Sequence, residues 1–139
     1  MVVDMPTTAI SVIEGLYKAL EAGQFGDALS DYVTDDAVFI EHPNPVTPRG
    51  ARRNPPELKE SSKRGAQLLA WQRYQIRDAI EHGDTAIMRV TWTAEIAQNI
   101  GPFRAGQQLT AHLAQFVTCR EGRIARLETY DCYEPFSAA

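Results

Sequence analysis

Disulfides, long apolar runs and an excess of positive charge are all scarce in this chain, and each scarcity excludes a class of protein. Its 139 residues include two cysteines, Cys119 and Cys132, so no disulfide framework is written into it. No apolar run approaches the ~20 residues that cross a bilayer. The opening MVVDMPTT has neither the basic nor the apolar region of a secretory signal, and the cytosol is the expected compartment. With 14 Lys and Arg against 18 Asp and Glu, the net charge is -4, the wrong sign for a nucleic-acid surface. Arg49, Arg52, Arg53, Lys59, Lys63 and Arg64 do gather, but Glu57 and Glu60 interrupt them, so they read as a solvated helix face. There is no P-loop and no Gly-rich dinucleotide fingerprint. Three histidines without a cysteine cluster offer little to a metal. His42, His112 and Asp131 would form a facial triad only if the first and last strands converged. No cofactor and no metal are expected, and neither nucleic acid nor membrane is an expected partner.

What is present suffices for one domain over residues 1–139: 44% of the residues are apolar, enough for a single core that encloses a pocket. Thr8 to Ala22 carries Ile13, Leu16, Tyr17 and Leu20 at helical spacing, with Ser11 and Glu14 matching a capping box. Gly23 ends that helix. A shorter helix is expected over Gln24 to Val33, then a strand over Ala37 to His42 that Pro43, Pro45 and Pro48 stop. His42 therefore stands at a strand end leading into a loop. Glu41, of opposite parity, is expected to point away from any cavity. Arg49-Gly50 is expected to open a third helical stretch, interrupted at Pro55-Pro56 and best formed from there to Leu69, since prolines suit a helix N-terminus. From Trp71 onward the chain reads as strands: Trp71 to Glu81, Thr85 to Ala97, and a final hairpin from Gln108 to Tyr133. Ala86, Met88, Val90, Trp92 and Ala94 give the second of these an apolar face. Helices followed by a four-stranded antiparallel meander make an α+β domain with the helices on one face of a curved sheet.

The final hairpin carries the chemistry. Its turn is Arg120-Glu121-Gly122-Arg123, with Gly122 supplying positive φ. If Arg120 pairs with Arg123, the register runs Thr118 to Ala125, Phe116 to Leu127, Ala114 to Thr129 and His112 to Asp131. The last two side chains then oppose one another within hydrogen-bonding reach. A slip of one residue would send one strand's side chains to the other face. In this register the cysteines lie about 26 Å apart, too far to bridge. An imidazole matches proton transfer at neutral pH, and a carboxylate partner raises its pKa and fixes its tautomer. In a cavity lined by Trp71, Met88, Trp92, Phe116 and Leu127, desolvation would also push Asp131 upward and suit it to act as an acid. The plainer reading is that His112 and Asp131 satisfy each other inside a partly buried sheet.

Four stretches, taken in order, resemble the nuclear transport factor 2-like superfamily, and within it SnoaL-like polyketide cyclases and ketosteroid isomerase-like proteins. They are LYKALEAGQF in the first helix, YVTDDAVFIEHP through the first strand, the PRG before the third helix, and the closing CREGRIARLETYDCYEP. The resemblance runs over nearly the whole chain and implies a cone-shaped α+β fold. It places Asp131 where SnoaL-like cyclases carry an acid/base aspartate, with His112 on the same inner face. It places His42 where ketosteroid isomerases keep their proton-abstracting carboxylate. Those isomerases use a tyrosine and a protonated aspartic acid as oxyanion donors, and the corresponding positions here are Leu16 and Ala114. A steroid delta-isomerase of the known kind is therefore not expected. Tyr17, one position on, would reach the pocket by a rotation of the helix. The face bearing Leu113, Gln115, Val117, Ile124, Arg126, Glu128 and Tyr130 is the one that commonly meets a second subunit in this superfamily, which implies a homodimer.

The expectation is thus a cofactor-independent acid/base enzyme of cyclase, isomerase or dehydratase type. Its substrate would be a hydrophobic, carbonyl-bearing small molecule. Asp131, His112 and His42 are the candidate catalytic residues, and Tyr17, Trp71, Met88, Trp92, Phe116 and Leu127 the candidate substrate contacts. The competing expectation is a non-catalytic ligand-binding or dimerisation module. A pocket of about 300 Å³ or more with the pair at its wall would favour the enzyme.

Overall fold

The computed structural model describes residues 8–136. Helix α1, Ala9–Glu21, begins at Thr8, whose hydroxyl accepts the Ser11 amide while the Ser11 hydroxyl accepts the Thr8 amide. The capping box is thus Thr8 with Ser11, one turn earlier than the Ser11–Glu14 pair expected. The apolar stripe of α1 buries Val12, Ile13, Leu16 and Tyr17, and Ile13 is completely enclosed. Truncating such a side chain to alanine typically costs about 2–5 kcal/mol. The shorter helix expected over Gln24 to Val33 is a 3-10 helix, Gly26–Tyr32, which plugs Leu29 into the core. Helix α2, Pro55–Leu68, starts as its prolines require, with Asn54 as N-cap and Glu57 closing a capping box.

The strands form one six-stranded sheet in the order β2-β1-β6-β5-β4-β3. They are β1 (Val33–Glu41), β2 (Ala51–Arg53), β3 (Leu69–His82), β4 (Thr85–Ile96), β5 (Gln108–Arg120) and β6 (Arg123–Tyr133). The antiparallel meander β3 to β6 appears as expected. Strand β1 joins its open edge parallel to β6, and the short β2, where a helical stretch was expected to open, instead pairs outside β1. The helices lie against the concave face, where α1 meets β3, β5 and β6. The result is the cone-shaped α+β fold of the nuclear transport factor 2-like proteins. On β4 the apolar set Ala86, Met88, Val90 and Ala94 faces the core, as its alternation predicts.

The final hairpin departs from the expected register. Arg120 does pair with Arg123, and Glu121 and Gly122 both take positive φ, +53° and +76°, as a two-residue hairpin turn demands. Cys119 then pairs with Ile124, but Thr118 pairs with Arg126, leaving Ala125 as an extra residue in β6. That bulge offsets every later pair by one, so Leu113 faces Asp131 and His112 faces Cys132. A bulge switches which residues of its strand face inward. Ile124, at 0% exposure, and Leu127, at 8%, therefore share the core face despite their odd spacing. On β5 the inward set is Leu109, Ala111, Leu113, Gln115 and Val117, all buried, while Phe116 on the outer face is 41% exposed. Cys119 and Cys132 are both free thiols. Among the described residues no helix is long and apolar enough to cross a membrane.

Candidate active site

Between α1, α2 and the concave sheet lies a cavity of about 390 Å³. One part of its wall is aliphatic and aromatic: Leu16 and Leu20 of α1, Trp92 of β4, Leu109 and Leu113 of β5, and Leu127 of β6. Ile100 and Phe103, from the loop between β4 and β5, add to it. The polar groups concentrate on β1, β6 and the β2 edge: Glu41, Arg53, Thr129, Asp131 and Tyr133. In the parallel pairing of β1 with β6, Glu41 stands beside Thr129, and Asp131 follows two residues on along the same face.

A directional hydrogen-bond chain crosses the floor. Tyr17 donates its hydroxyl proton to Gln115 Oε1, Gln115 Nε2 donates to Thr129 Oγ1 at 3.2 Å, and Thr129 donates to Asp131 Oδ1. Each donor points toward Asp131, so the chain delivers a partial positive charge to one carboxyl oxygen and pins it. The amide of Gln115 interrupts proton hopping along the chain; the chain orients. Burial raises the Asp131 pKa above the usual carboxylate range; Thr129 opposes this, while the negative Glu41 nearby adds to it. The ring of Tyr17 stacks on Tyr74, centroids 4.2 Å apart. Burial pushes both phenols upward, with Asp131 adding to each, so they stay protonated.

Glu41 is treated in the opposite way. Arg53 donates to its Oε1 at 2.8 Å and Asn44 to its Oε2 at 2.7 Å. Burial alone would raise its pKa, but these donors and Thr47 outweigh it and hold Glu41 below the usual range. The loop after β1 fixes this arrangement. Gly50 sits at φ +68°, where a Cβ would come within 2.7 Å of the Glu41 carbonyl oxygen. Asn44, buried, accepts the Val46 and Thr47 amides. The cavity wall thus carries two carboxyl groups whose environments push their pKa values apart, Glu41 downward and Asp131 upward.

The candidate residues from sequence divide cleanly. Asp131, Tyr17, Trp92 and Leu127 are on the cavity wall. Leu16 and Tyr17 both reach it, because neighbouring residues 100° apart fit within one helix stripe. His112 is corrected: it projects from the outer face, its side chain 58% exposed, and bonds Glu134 at 2.8 Å. No His112–Asp131 dyad forms. His42 is also on the outer side, its ring stacked on Tyr130 at 4.1 Å and its Nε2 2.7 Å from Glu128. Phe116 is on that outer face too, in edge contact with Tyr130. Met88 is sealed in the core, and Trp71, with the Arg73 guanidinium 5.3 Å over its ring, is outside the cavity. Glu41 points inward, against the parity argument. It alternates with Phe39 and Ala37, both buried, and the apolar pair was the legible sign that odd positions of β1 face the core. Gln115, Thr129, Tyr74 and Tyr133 were missed. Tyr133 was within reach of the sequence, since it stands two residues from Asp131 and so shares its face. Among the described residues no cluster of His, Cys, Asp and Glu has the geometry to hold a metal ion.

The model of the SnoaL-like domain matches residues 13–127. Among curated protein sequences, none matches this chain. Solved structures do. IdmH of Streptomyces antibioticus, a candidate polyketide cyclase, superposes with a TM-score of 0.72 at 19% identity, covering 88% of this chain and 91% of that one. A SnoaL-like polyketide cyclase of Agrobacterium tumefaciens gives 0.68 at 12% identity, over 91% and 92%. An epoxide hydrolase of Mycobacterium tuberculosis gives 0.68 at 19% identity, over 93% and 86%. At such identities the likeness is one of fold, and three differently described proteins share it.

Proposed function

The chain belongs to the SnoaL-like domain family, and from that premise we propose that it is a cofactor-independent acid/base enzyme acting on a hydrophobic, carbonyl-bearing small molecule. The observation that carries this reading is a half-buried carboxyl group, Asp131, tied by one oxygen to an uncharged hydrogen-bond chain on the wall of a largely apolar cavity. A carboxylate of raised pKa is a stronger base than an ordinary one and lies nearer the pH at which proton transfer is most effective. In the forward step, Asp131 takes a proton from the carbon next to the carbonyl, and the C–H electron pair moves to form an enolate. Returning the proton at another carbon isomerises the substrate. If the enolate carbon instead attacks a second carbonyl, the new alkoxide takes the proton back from Asp131 and a ring closes. Glu41, beside it on the wall, adds to the burial that raises the pKa of Asp131 and so to its strength as a base. The names of the similar structures, two cyclases and an epoxide hydrolase, support chemistry in this cavity.

The test is deuterium exchange at the carbon next to the carbonyl of an apolar ketone such as 2-tetralone, followed by proton NMR. Wild type is expected to accelerate exchange and Asp131→Asn to lose about 10²–10⁴-fold, the usual worth of a positioned acid/base group. The second reading is a non-catalytic ligand-binding module. It is favoured by one observation, that both His42 and His112 stand outside the cavity, which leaves the wall without a group of near-neutral reference pKa. Ketones that bind without exchange in wild type would establish that reading.

A homodimer through the outer sheet face belongs to the same proposal. Ile87, Phe116 and Tyr130 expose 44%, 41% and 43% of their surface there, an aromatic-centred patch of the kind subunit contacts favour. Sedimentation should show a dimer that Phe116→Lys dissociates; a monomeric wild type would refute it. The two free thiols suit a reducing compartment such as the cytosol.

A further inference from the structure

Enolate formation needs a second group, a donor for the negative charge that develops on the carbonyl oxygen, and the cavity's hydrogen-bond inventory singles one out. Three phenols line the wall. Tyr17 gives its proton to Gln115, and Tyr74 gives its own to Gln72 at 3.1 Å. The Trp92 indole N–H is likewise committed to Gln72, at 3.0 Å, and the Thr129 hydroxyl to Asp131. Arg53 spends its charge on Glu41, and the Thr47 hydroxyl is spent on the same carboxylate. The Ser61 hydroxyl belongs to α2, which packs mainly on the 3-10 helix, β1, β2 and β3 rather than on β6. Tyr133 remains. It lines the cavity, its hydroxyl has no hydrogen-bond partner among the described residues, and no buried polar atom there is sealed off without one. Its hydroxyl is therefore open to solvent, in a residue that lines the cavity.

Resting on the acid/base reading above, we infer that Tyr133 is a catalytic residue whose hydroxyl donates a hydrogen bond to the substrate's carbonyl oxygen while Asp131 moves the proton. The two residues stand at positions i and i+2 of β6, on one face, roughly 7 Å apart along the strand. One side chain can thus meet the C–H and the other the oxygen of a single enolisable unit. The Tyr133 ring is held from two sides, edge-on to Trp92 at 6.1 Å and to Phe136 at 5.9 Å, and its cross-strand neighbour Ala111 leaves it room. Burial, with Asp131 and Glu41 adding, raises the phenol's pKa, so it keeps its proton and acts as a neutral donor. In the step itself the C–H bond breaks, its proton goes to Asp131, and the electron pair ends as charge on the oxygen. Tyr133 shares its proton with that oxygen without releasing it. Leu16 and Ala114, which stand where ketosteroid isomerases place their donors, supply none; this donor comes from the last strand instead.

The experiment uses Tyr133→Phe, which keeps the ring and removes the hydroxyl, in two arms. In the exchange assay with 2-tetralone, Tyr133→Phe should fall about 10²-fold, the common cost of one oxyanion donor. In the binding arm, 2-naphthol mimics the enolate oxygen and 2-methoxynaphthalene is its control without a hydroxyl, both in an Asp131→Asn background that imitates the protonated acid. Adding Tyr133→Phe should weaken 2-naphthol at least tenfold and leave the methyl ether unchanged, which also shows that the pocket is intact. Exchange lost in Asp131→Asn but normal in Tyr133→Phe, with 2-naphthol affinity unchanged, overturns the donor and leaves the acid/base reading standing. If wild type exchanges nothing, that reading fails, and the naphthol arm alone decides: selective weakening upholds the donor, equal affinity overturns it.

Discussion

Replacing Gln115 with leucine tests both the register of the last hairpin and the chain that pins Asp131. Gln115 is 5% exposed, accepts from Tyr17 and donates to Thr129. Leucine of similar volume removes two hydrogen bonds, each worth about 1 kcal/mol net, and leaves the buried Tyr17 hydroxyl without a partner, at about 1–3 kcal/mol. The added apolar burial returns some of this, so the expected loss is about 2–4 kcal/mol. For a domain of this size that lowers Tm by about 6–15 °C. Tyr17→Phe alone strands the Gln115 carbonyl and should cost about 1–3 kcal/mol. The double variant strands neither group, so the two losses should fall short of adding by about 1–3 kcal/mol. Urea unfolding of the four proteins, with the slope of the transition checked for constancy, measures the cycle. In the unbulged register with Asp131 inward, Gln115 would lie on the outer face and its replacement would change stability by less than about 0.5 kcal/mol. Additive losses, or a neutral Gln115→Leu, would refute the arrangement.

Other substitutions probe the remaining parts. Asp131→Asn should raise stability at neutral pH while abolishing exchange. The folded Asp131 holds its proton to higher pH than the unfolded chain does, so wild type loses stability as pH rises between the two values. The variant should match wild type below that window and exceed it above. A stability difference independent of pH would contradict the raised pKa. His112→Ala, which removes only the exposed pairing with Glu134, should leave exchange within about twofold and stability within about 0.5 kcal/mol; a large loss of activity would restore the dyad. Gly50→Ala places a side chain at positive φ and against the Glu41 carbonyl. It should cost about 2 kcal/mol or more by thermal unfolding and shift the pH profile of exchange as Glu41 is displaced; an unperturbed Tm would show that the loop yields freely.

Most of the fold was legible because it rests on local patterns: the apolar stripe of α1, the prolines opening α2, the alternation along β4 and the Glu121-Gly122 turn. The placement of Asp131 on the cavity side was legible as well, since the inward face of the end of β6 follows from Leu127 and Thr129. The His112 partner did not. A bulge is one residue inserted into a ladder, and neither turn chemistry nor strand propensity reports it. One sign was present: Leu109, Leu113 and Val117 alternate as an apolar set on β5, which conflicts with an inward Phe116. The periodicity of that strand was the better witness than the turn.

The sequence by itself determined most of the elements, their order, and an inward carboxyl on the last strand, because these follow from spacing and turn conformation within short stretches. Tertiary structure decided which side chains meet that carboxyl. The bulge at Ala125 shifted β5 relative to β6, exchanging His112 for Gln115 on the face of Asp131, and the parallel docking of β1 carried Glu41 to the same wall. Contacts between residues far apart in the chain depend on register across three strands, and a shift of one residue, costing little backbone energy, exchanges every partner at once.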